Sequence, residues 1–443
     1  MNYSAPQALL FLLTGISLIV ILTAKFRLHA FFPILIAAWV VGLGVHMPVA
    51  DILNDLKEGF GGVMRSLGLI VVLGTVLGIL LEYTGSSRIM ADFILQKVGE
   101  KHAALGISIT GFIIGLPIFC DAGFIVLSGL THSFSKRTGI PMLVLGVSLS
   151  TALLSVHCMV PPHPGSAAAA AALGVDLGKL MMAGILISIP AMLTGYLWAL
   201  RACKQFPSTQ GERVTDRGEK VSSLGALYSF LPVVIPILLI ALRSMLLMRA
   251  GSLPTQISGL LFLGDPVIAL SVGVILALGN RALWTSGKIG SLLEEAAEKA
   301  GGILVIIGAG GAFGAVLAAC RMGEVFSRSI HLEGTGIFFP FLVTCILKTA
   351  QGSSTVAIIT ASAIIVPLLP LLGLDNSNGR LLCVLAMGAG SMMISHANDA
   401  YFWVIARFSG IAMKSMLRVY SVATLWMGLI TLAMVYLYSL LLK

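Results

Sequence analysis

Charge is what this chain has least of. Asp, Glu, Lys and Arg make up 11% of its 443 residues, against about 25% in an ordinary soluble domain, and that scarcity excludes a water-soluble globular fold. Cysteine is scarce as well, and nowhere paired. Cys120, Cys158, Cys203, Cys320, Cys345 and Cys383 show no C-x-x-C spacing, which argues against a disulfide framework or a cysteine-based metal site and leaves them as small buried hydrophobes. Basic runs are missing too. The formal net charge of +9 comes from Lys and Arg standing singly between apolar runs, as orientation in a bilayer requires, so nucleic acid is excluded as a partner.

What fills the chain instead is hydrocarbon. Apolar residues account for 57%, and the mean hydropathy is +1.00, the signature of an integral membrane protein in contact with lipid. Runs at 8–24, 30–45, 66–83, 180–200, 231–247, 261–278 and 419–442 read as membrane spans, since a helix rises 1.5 Å per residue and the hydrocarbon core is about 30 Å thick. The first run has neither the basic start nor the small-residue cleavage site of a secretory signal, so it is expected to remain as a span.

The polar stretch RACKQFPSTQGERVTDRGEKVSS (201–223) divides the chain, and its basic residues place it on the cytoplasmic side. Three parts are expected: an N-terminal membrane repeat at 1–200, the linker at 201–223 and a C-terminal membrane repeat at 224–443. Features recur across the two halves in the same order. G-x-x-x-G stands at Gly74/Gly78 and at Gly310/Gly314, a polar break at Asp121 and at Ser353, and a His-bearing break at His157 and at His396, at separations of 236, 232 and 239 positions. A charged stretch precedes each G-x-x-x-G, DILNDLKEGF in one half and SLLEEAAEKAG in the other, and each is expected to be a separate interfacial helix. The first carries an excess of acids and the second begins in a more basic loop, so the equivalent loops are expected on opposite faces. The fold class is therefore an all-α membrane protein of two inverted-topology repeats, with re-entrant hairpins and discontinuous transmembrane helices.

The breaks carry the functional argument. In lipid, every backbone N–H or C=O freed by a broken helix costs several kcal/mol unless protein, water or ligand completes it. SVHCMVPPHPGS (155–166) breaks its helix with Pro161, Pro162 and Pro164, and the alanine run after it restarts one with Ser166 near the cap. QGSST restarts at Thr355 after Gly352, Ser353 and Ser354; SHANDA restarts after Asn398 and Asp399. Half-helix N-termini favour an anion near the bilayer midplane, and paired discontinuous helices point to a secondary transporter.

Asp121 and Asp399 lie deepest among apolar residues. A carboxylate inside a membrane is costly and by default functional, so each is a candidate to exchange a coupling proton, although each could equally cap the helix that follows it. His157, His163 and His396 are candidates to donate hydrogen bonds to a substrate or relay a proton, and no third and fourth ligand accompanies them to make a metal site. Gly165, Ser166, Gly352, Ser353, Ser354, Thr355, Ser395 and Asn398 complete the expected binding set, with hydroxyls and an amide suited to a polyhydroxylated acid. Lys348, one turn before QGSST, could balance a substrate carboxylate, but a span-end lysine more often snorkels to the interface.

VPPHPGS (160–166), FLGDPVIA (262–269), QGSSTVAIITA (351–361) and SHANDAYFW (395–403), with PIFCDAGF at 117–124, resemble the gluconate permease family of bacterial inner-membrane symporters along essentially the whole chain. Cys120 and Asp121 depart from the Tyr-Glu pair that some gluconate-transporting members carry. The resemblance implies proton-coupled uptake of a sugar acid or of D-serine or a short hydroxy acid, no cofactor, a multi-pass inner-membrane location, a homodimer and an elevator-type motion, within the wider ion-transporter superfamily. A sodium-coupled carboxylate symporter is the alternative carrier. A membrane-embedded enzyme would need a nucleophile or metal set that these residues do not assemble.

Overall fold

A computed structural model describes residues 5–99, 102–205, 223–248, 261–279, 283–284, 287–320, 334–396 and 399–442, and no strand occurs among the described residues. The first half contains α1 (Ala5–Ala24), α2 (Phe31–Gly44), α3 (Val49–Tyr83), α4 (Ser86–Val98), α5 (Ala103–Gly115), α6 (Cys120–Thr138), α7 (Met142–Met159), α8 (Pro164–Leu173) and α9 (Leu177–Gln205). The second contains α10 (Ser223–Met248), α11 (Pro266–Leu278), α12 (Ile289–Ala319), α13 (Phe338–Gln351), α14 (Ser354–Ile365), α15 (Ser377–Met392), α16 (Ala400–Ser409) and, after a π-helical turn at Met416–Tyr420, α17 (Ser421–Leu441).

The helices stop and start where the sequence supplies a local reason. Pro48 and Pro141 precede α3 and α7 in extended geometry, because the pyrrolidine ring fixes φ and removes a donor that the first turn does not need. Asp265 caps α11 by accepting from the Val267 amide at 3.0 Å, with Pro266 in the first position. Gly174 ends α8 at φ +66°, a conformation that costs a residue with a Cβ.

Two expectations about spans need correcting. The run at 30–45 yields an α2 of 14 residues and the run at 261–278 an α11 of 13 residues, each only about 20 Å long, because the chain turns through His46 at φ +59° after α2 and the Asp265 cap sets the start of α11. Nor do the charged stretches form separate helices. DILNDLKEGF is the start of the 35-residue α3 and SLLEEAAEKAG the start of the 31-residue α12. The linker expected from 201 begins inside α9, which continues to Gln205, and residues 206–222 lie outside the described set.

One order of elements appears in both halves: a long helix, two short helices separated by a break, a broken helix and a final long helix. These are α3, α5/α6, α7/α8 and α9 in the first, where α4 intervenes between α3 and α5, and α12, α13/α14, α15/α16 and α17 in the second, where residues 321–333 lie outside the described set. The long helices α3 and α12 pack along each other, closely enough that a Cβ on Gly59 would collide with the Gly311 carbonyl oxygen. Their G-x-x-x-G pairs face the broken segments, Gly74 and Gly78 against Pro162 and Pro117, Gly310 and Gly314 against Ile359 and Ala363.

Among the described residues, four helical segments are long and apolar enough to cross a membrane: Met142–Leu173, Leu177–Ala202, Ile289–Ala319 and Met413–Leu441. Their burial differs in a way that fixes the layers. In the most apolar 18-residue stretch of the segment containing the VPPH break 94% of the residues are buried, whereas in that of the segment containing α17 33% are. Leu, Ile and Trp side chains on α9, α10 and α17 are exposed and present the surface that lipid would cover. The unwound backbone thus sits at the centre, shielded by unbroken helices, as the cost of free amides in hydrocarbon demands.

Candidate functional site

A cavity of about 560 Å³ lies at the breaks. Four helices begin at its wall: α6 with Cys120 and Asp121, α8 with Pro164, α14 with Ser353 to Val356, and α16 with Asp399 to Tyr401. Two come from each half of the chain, and they occupy the same places in the recurring order of elements. Each N-terminus offers amides that have no partner within the helix, together with the positive end of its dipole. No side chain caps α6, so its first-turn amides are open to a ligand, and an anion is what such a surface attracts.

Side chains from both halves complete the wall. His157, at the end of α7, places Nε2 3.3 Å from the Thr355 hydroxyl, which joins the break of one half to that of the other. Its Nδ1 has no hydrogen-bond partner, and neither amide atom of Gln351 has one. Unsatisfied buried polar groups of this kind cost about 1–3 kcal/mol each, and a polyhydroxylated ligand would satisfy them. Asp121 is not buried as its apolar neighbours in the sequence suggest: it is exposed in the first turn of α6, because the cavity opens in front of it. Lys299, Ile303 and Ile306 supply one face of α12.

Asp399 is held differently. Its Oδ1 accepts from the Tyr401 amide at 3.0 Å and caps α16. Its Oδ2 accepts from Lys348 Nζ at 2.6 Å and from the Ser395 hydroxyl. Lys348 is 1% exposed. The lysine therefore does not snorkel: α13 is short and packed against α15, so its last turn ends inside the protein, where the carboxylate is the available counter-charge.

The other expected residues fall around the cavity or behind it. Ser353, Ser354, Thr355, Gly352 and His157 line it. Ser353 caps α14, accepting from the Val356 amide at 3.3 Å, so the helix restarts at Ser354 and not at Thr355. Gly352 ends α13 at φ +83°. His163 is buried behind the wall and donates from Nε2 to the Gly115 carbonyl at 2.7 Å. Its ring lies 4.8 Å from that of His157, and Phe119 packs against both. Ser166 does not cap α8. His163 holds that position, and the Ser166 hydroxyl donates back to the His163 carbonyl at 3.1 Å. Gly165 lets α8 approach α14: a Cβ there would stand 3.2 Å from Thr355 Cα. Ser395 is turned to Asp399, and its amide donates to the Thr424 hydroxyl. His396 donates from Nε2 to the Thr349 carbonyl at 3.1 Å. Asn398 lies outside the described residues.

Sequence reasoning did not single out Phe119, Gln351, Lys299, Ile303, Ile306 or Tyr401 as cavity residues. For α12 a signal existed, because Lys299, Ile303 and Ile306 follow i, i+4, i+7 and share one helical face.

Comparison with known proteins shows the family to which the chain belongs. The family model described as the GntP family permease matches residues 7–441. A gluconate permease of Pseudomonas aeruginosa is 31% identical over 451 residues, covering 100% of this chain and 99% of the relative. The D-serine transporter DsdX of Escherichia coli O6:H1 is 31% identical, with 97% of each chain covered, and the Gnt-II system L-idonate transporter of Escherichia coli K12 is 29% identical, covering 94% and 95%. The solved YdaH transporter of Alcanivorax borkumensis has the same fold at a TM-score of 0.60 and 13% identity, covering 88% of this chain and 89% of that one. The chain is thus a multi-pass inner-membrane protein and belongs to the GntP permease family, whose named members are transporters and not enzymes.

Proposed function

We propose that the protein is a proton-coupled symporter for a small hydroxylated monocarboxylate, a sugar acid of the gluconate and idonate type. The observation that carries this reading is the meeting of four helix N-termini at one cavity, each contributing partial positive charge. The carboxylate binds the uncapped amides of α6 and those first-turn amides of α14 that the Ser353 cap, which takes the Val356 amide, leaves free. Hydroxyls reach Gln351, His157 Nδ1, Ser353 and Thr355. Lys299, at the exposed rim of the cavity and paired with Glu295 at 2.6 Å, is a cation the arriving carboxylate can share. The relatives' named substrates, gluconate, L-idonate and D-serine, share a carboxylate next to a carbon that bears a hydroxyl or amino group, which is the common feature this cavity would read.

Asp121 is the better-placed proton carrier of the two acids, because it faces the cavity while Asp399 is occupied by a cap and an ion pair. A proton on Asp121 would relieve its repulsion of the arriving carboxylate, so the two ligands bind cooperatively and reciprocally. The recurring order of elements supports an inverted repeat, and the enclosure of the broken helices beside the long pair α3 and α12 supports a motion of the cavity-bearing segments against that pair. Purified protein in liposomes tests the coupling. Under a gradient of two pH units, one proton per monocarboxylate sustains accumulation of about a hundredfold. Asp121→Asn is expected to lose this uphill uptake of labelled gluconate while retaining exchange of internal for external substrate; full uphill uptake in that variant rejects the assignment.

A further inference from the structure

Lys348 has a set of partners that the proposed transport cycle does not use. Its ammonium donates to the Gly352 carbonyl at 2.5 Å and to Asp399 Oδ2 at 2.6 Å, and the Ser395 hydroxyl donates to that same carboxylate oxygen. All of these groups offer oxygen. Gly352 closes α13, where the dipole is negative, and Asp399 opens α16, so the ammonium bridges the two helix interruptions of the second half. A second link, from His396 to the Thr349 carbonyl, holds the same two segments together. Carbonyl, carboxylate and hydroxyl oxygens at interrupted helices are the donors that bind small hard cations. Lys carries a compact charge on a flexible stem, and here it is 1% exposed.

We infer that Lys348 is a resident cation. Its ammonium fills, between the Gly352 carbonyl and the Asp399 carboxylate, the place that a free sodium ion would otherwise take, and it thereby makes the protein independent of sodium. The ammonium is covalently tethered, so it neither dissociates nor crosses with substrate, and a coupling ion must act elsewhere. Removing it would leave Asp399 buried without a counter-charge, and a mobile cation would be drawn to the vacated oxygens. The inference deepens the proton-coupled reading but its stability test does not rest on it.

The test is thermal unfolding of wild type, Lys348→Ala and Lys348→Ala/Asp399→Ala in detergent, in sodium chloride and in choline chloride at equal ionic strength. Wild type is expected to unfold at one temperature in both salts. Lys348→Ala is expected to unfold about 3 °C or more higher in sodium, and the double variant to lose that difference. A sodium effect in wild type, no sodium effect in Lys348→Ala, or failure to recover Lys348→Ala in either salt overturns the inference. Loss of proton-driven uptake in wild type alongside sodium stabilisation of Lys348→Ala would reject the proton reading and leave this one standing.

Discussion

At the residue scale, Ser353 has two roles that substitution can separate. It caps α14 through the Val356 amide and it lines the cavity. Alanine removes both functions, at a cap cost of about 1 kcal/mol, whereas glycine at an N-cap costs only a few tenths. Ser353→Gly is therefore expected to keep its thermal midpoint within about 1 °C of wild type while its KM for uptake rises several-fold; Ser353→Ala is expected to lose stability as well. An unchanged KM in both would remove the hydroxyl from the binding set. Residue type and local order made Ser353 and Asp399 legible in the sequence as residues at a helix restart, because a cap announces itself within four positions. Lys348 was not legible. Its partner lies 51 positions away, and a lysine in the last turn of an apolar helix has the same local pattern whether it ends in water or in the core.

Among elements, the meeting of α8 and α14 decides whether the cavity has a closed floor. Gly165 stands where a Cβ would lie 3.1 Å from Ile358 Cδ1 and 3.2 Å from Thr355 Cα; the first atom can move, the second is backbone and cannot without displacing α14. Leucine at this position is expected to cost about 1–3 kcal/mol by overpacking and to raise KM more than tenfold, because the two N-termini would be pushed apart. A Gly165→Leu protein with wild-type KM would show that the spacing of these helices is immaterial to binding. The breaks themselves were legible because Pro removes a donor and blocks the preceding turn. The lengths of α3 and α12 were not. Gly61–Gly62 and Gly301–Gly302 follow the charged stretches and look like stops, yet the helices run through both pairs, since glycine weakens a helix by only about 1 kcal/mol per residue and keeps its amide donor.

For the whole molecule, the cavity belongs to neither half. Its wall takes α6, α7 and α8 from the first, and α12, α13, α14 and α16 from the second, while α3 and α12 form a long pair beside it. If substrate is carried by moving the broken helices against that pair, a covalent tie between α12 and α14 must stop transport without unfolding the protein. Gly314 and Ala363 offer such a tie: a Cβ built on Gly314 lies 3.5 Å from the Ala363 Cβ, inside the range of about 3.5–4.5 Å that a disulfide accepts. In a background with the six native cysteines replaced, Gly314→Cys/Ala363→Cys is expected to take up gluconate when reduced, to lose uptake on oxidation and to regain it with a thiol reductant. The fraction of protein cross-linked should match the fraction of uptake lost. Full uptake by fully cross-linked protein would mean that α12 and α14 travel as one body, and the moving boundary would then have to lie elsewhere, at the face where Gly74 meets Pro162.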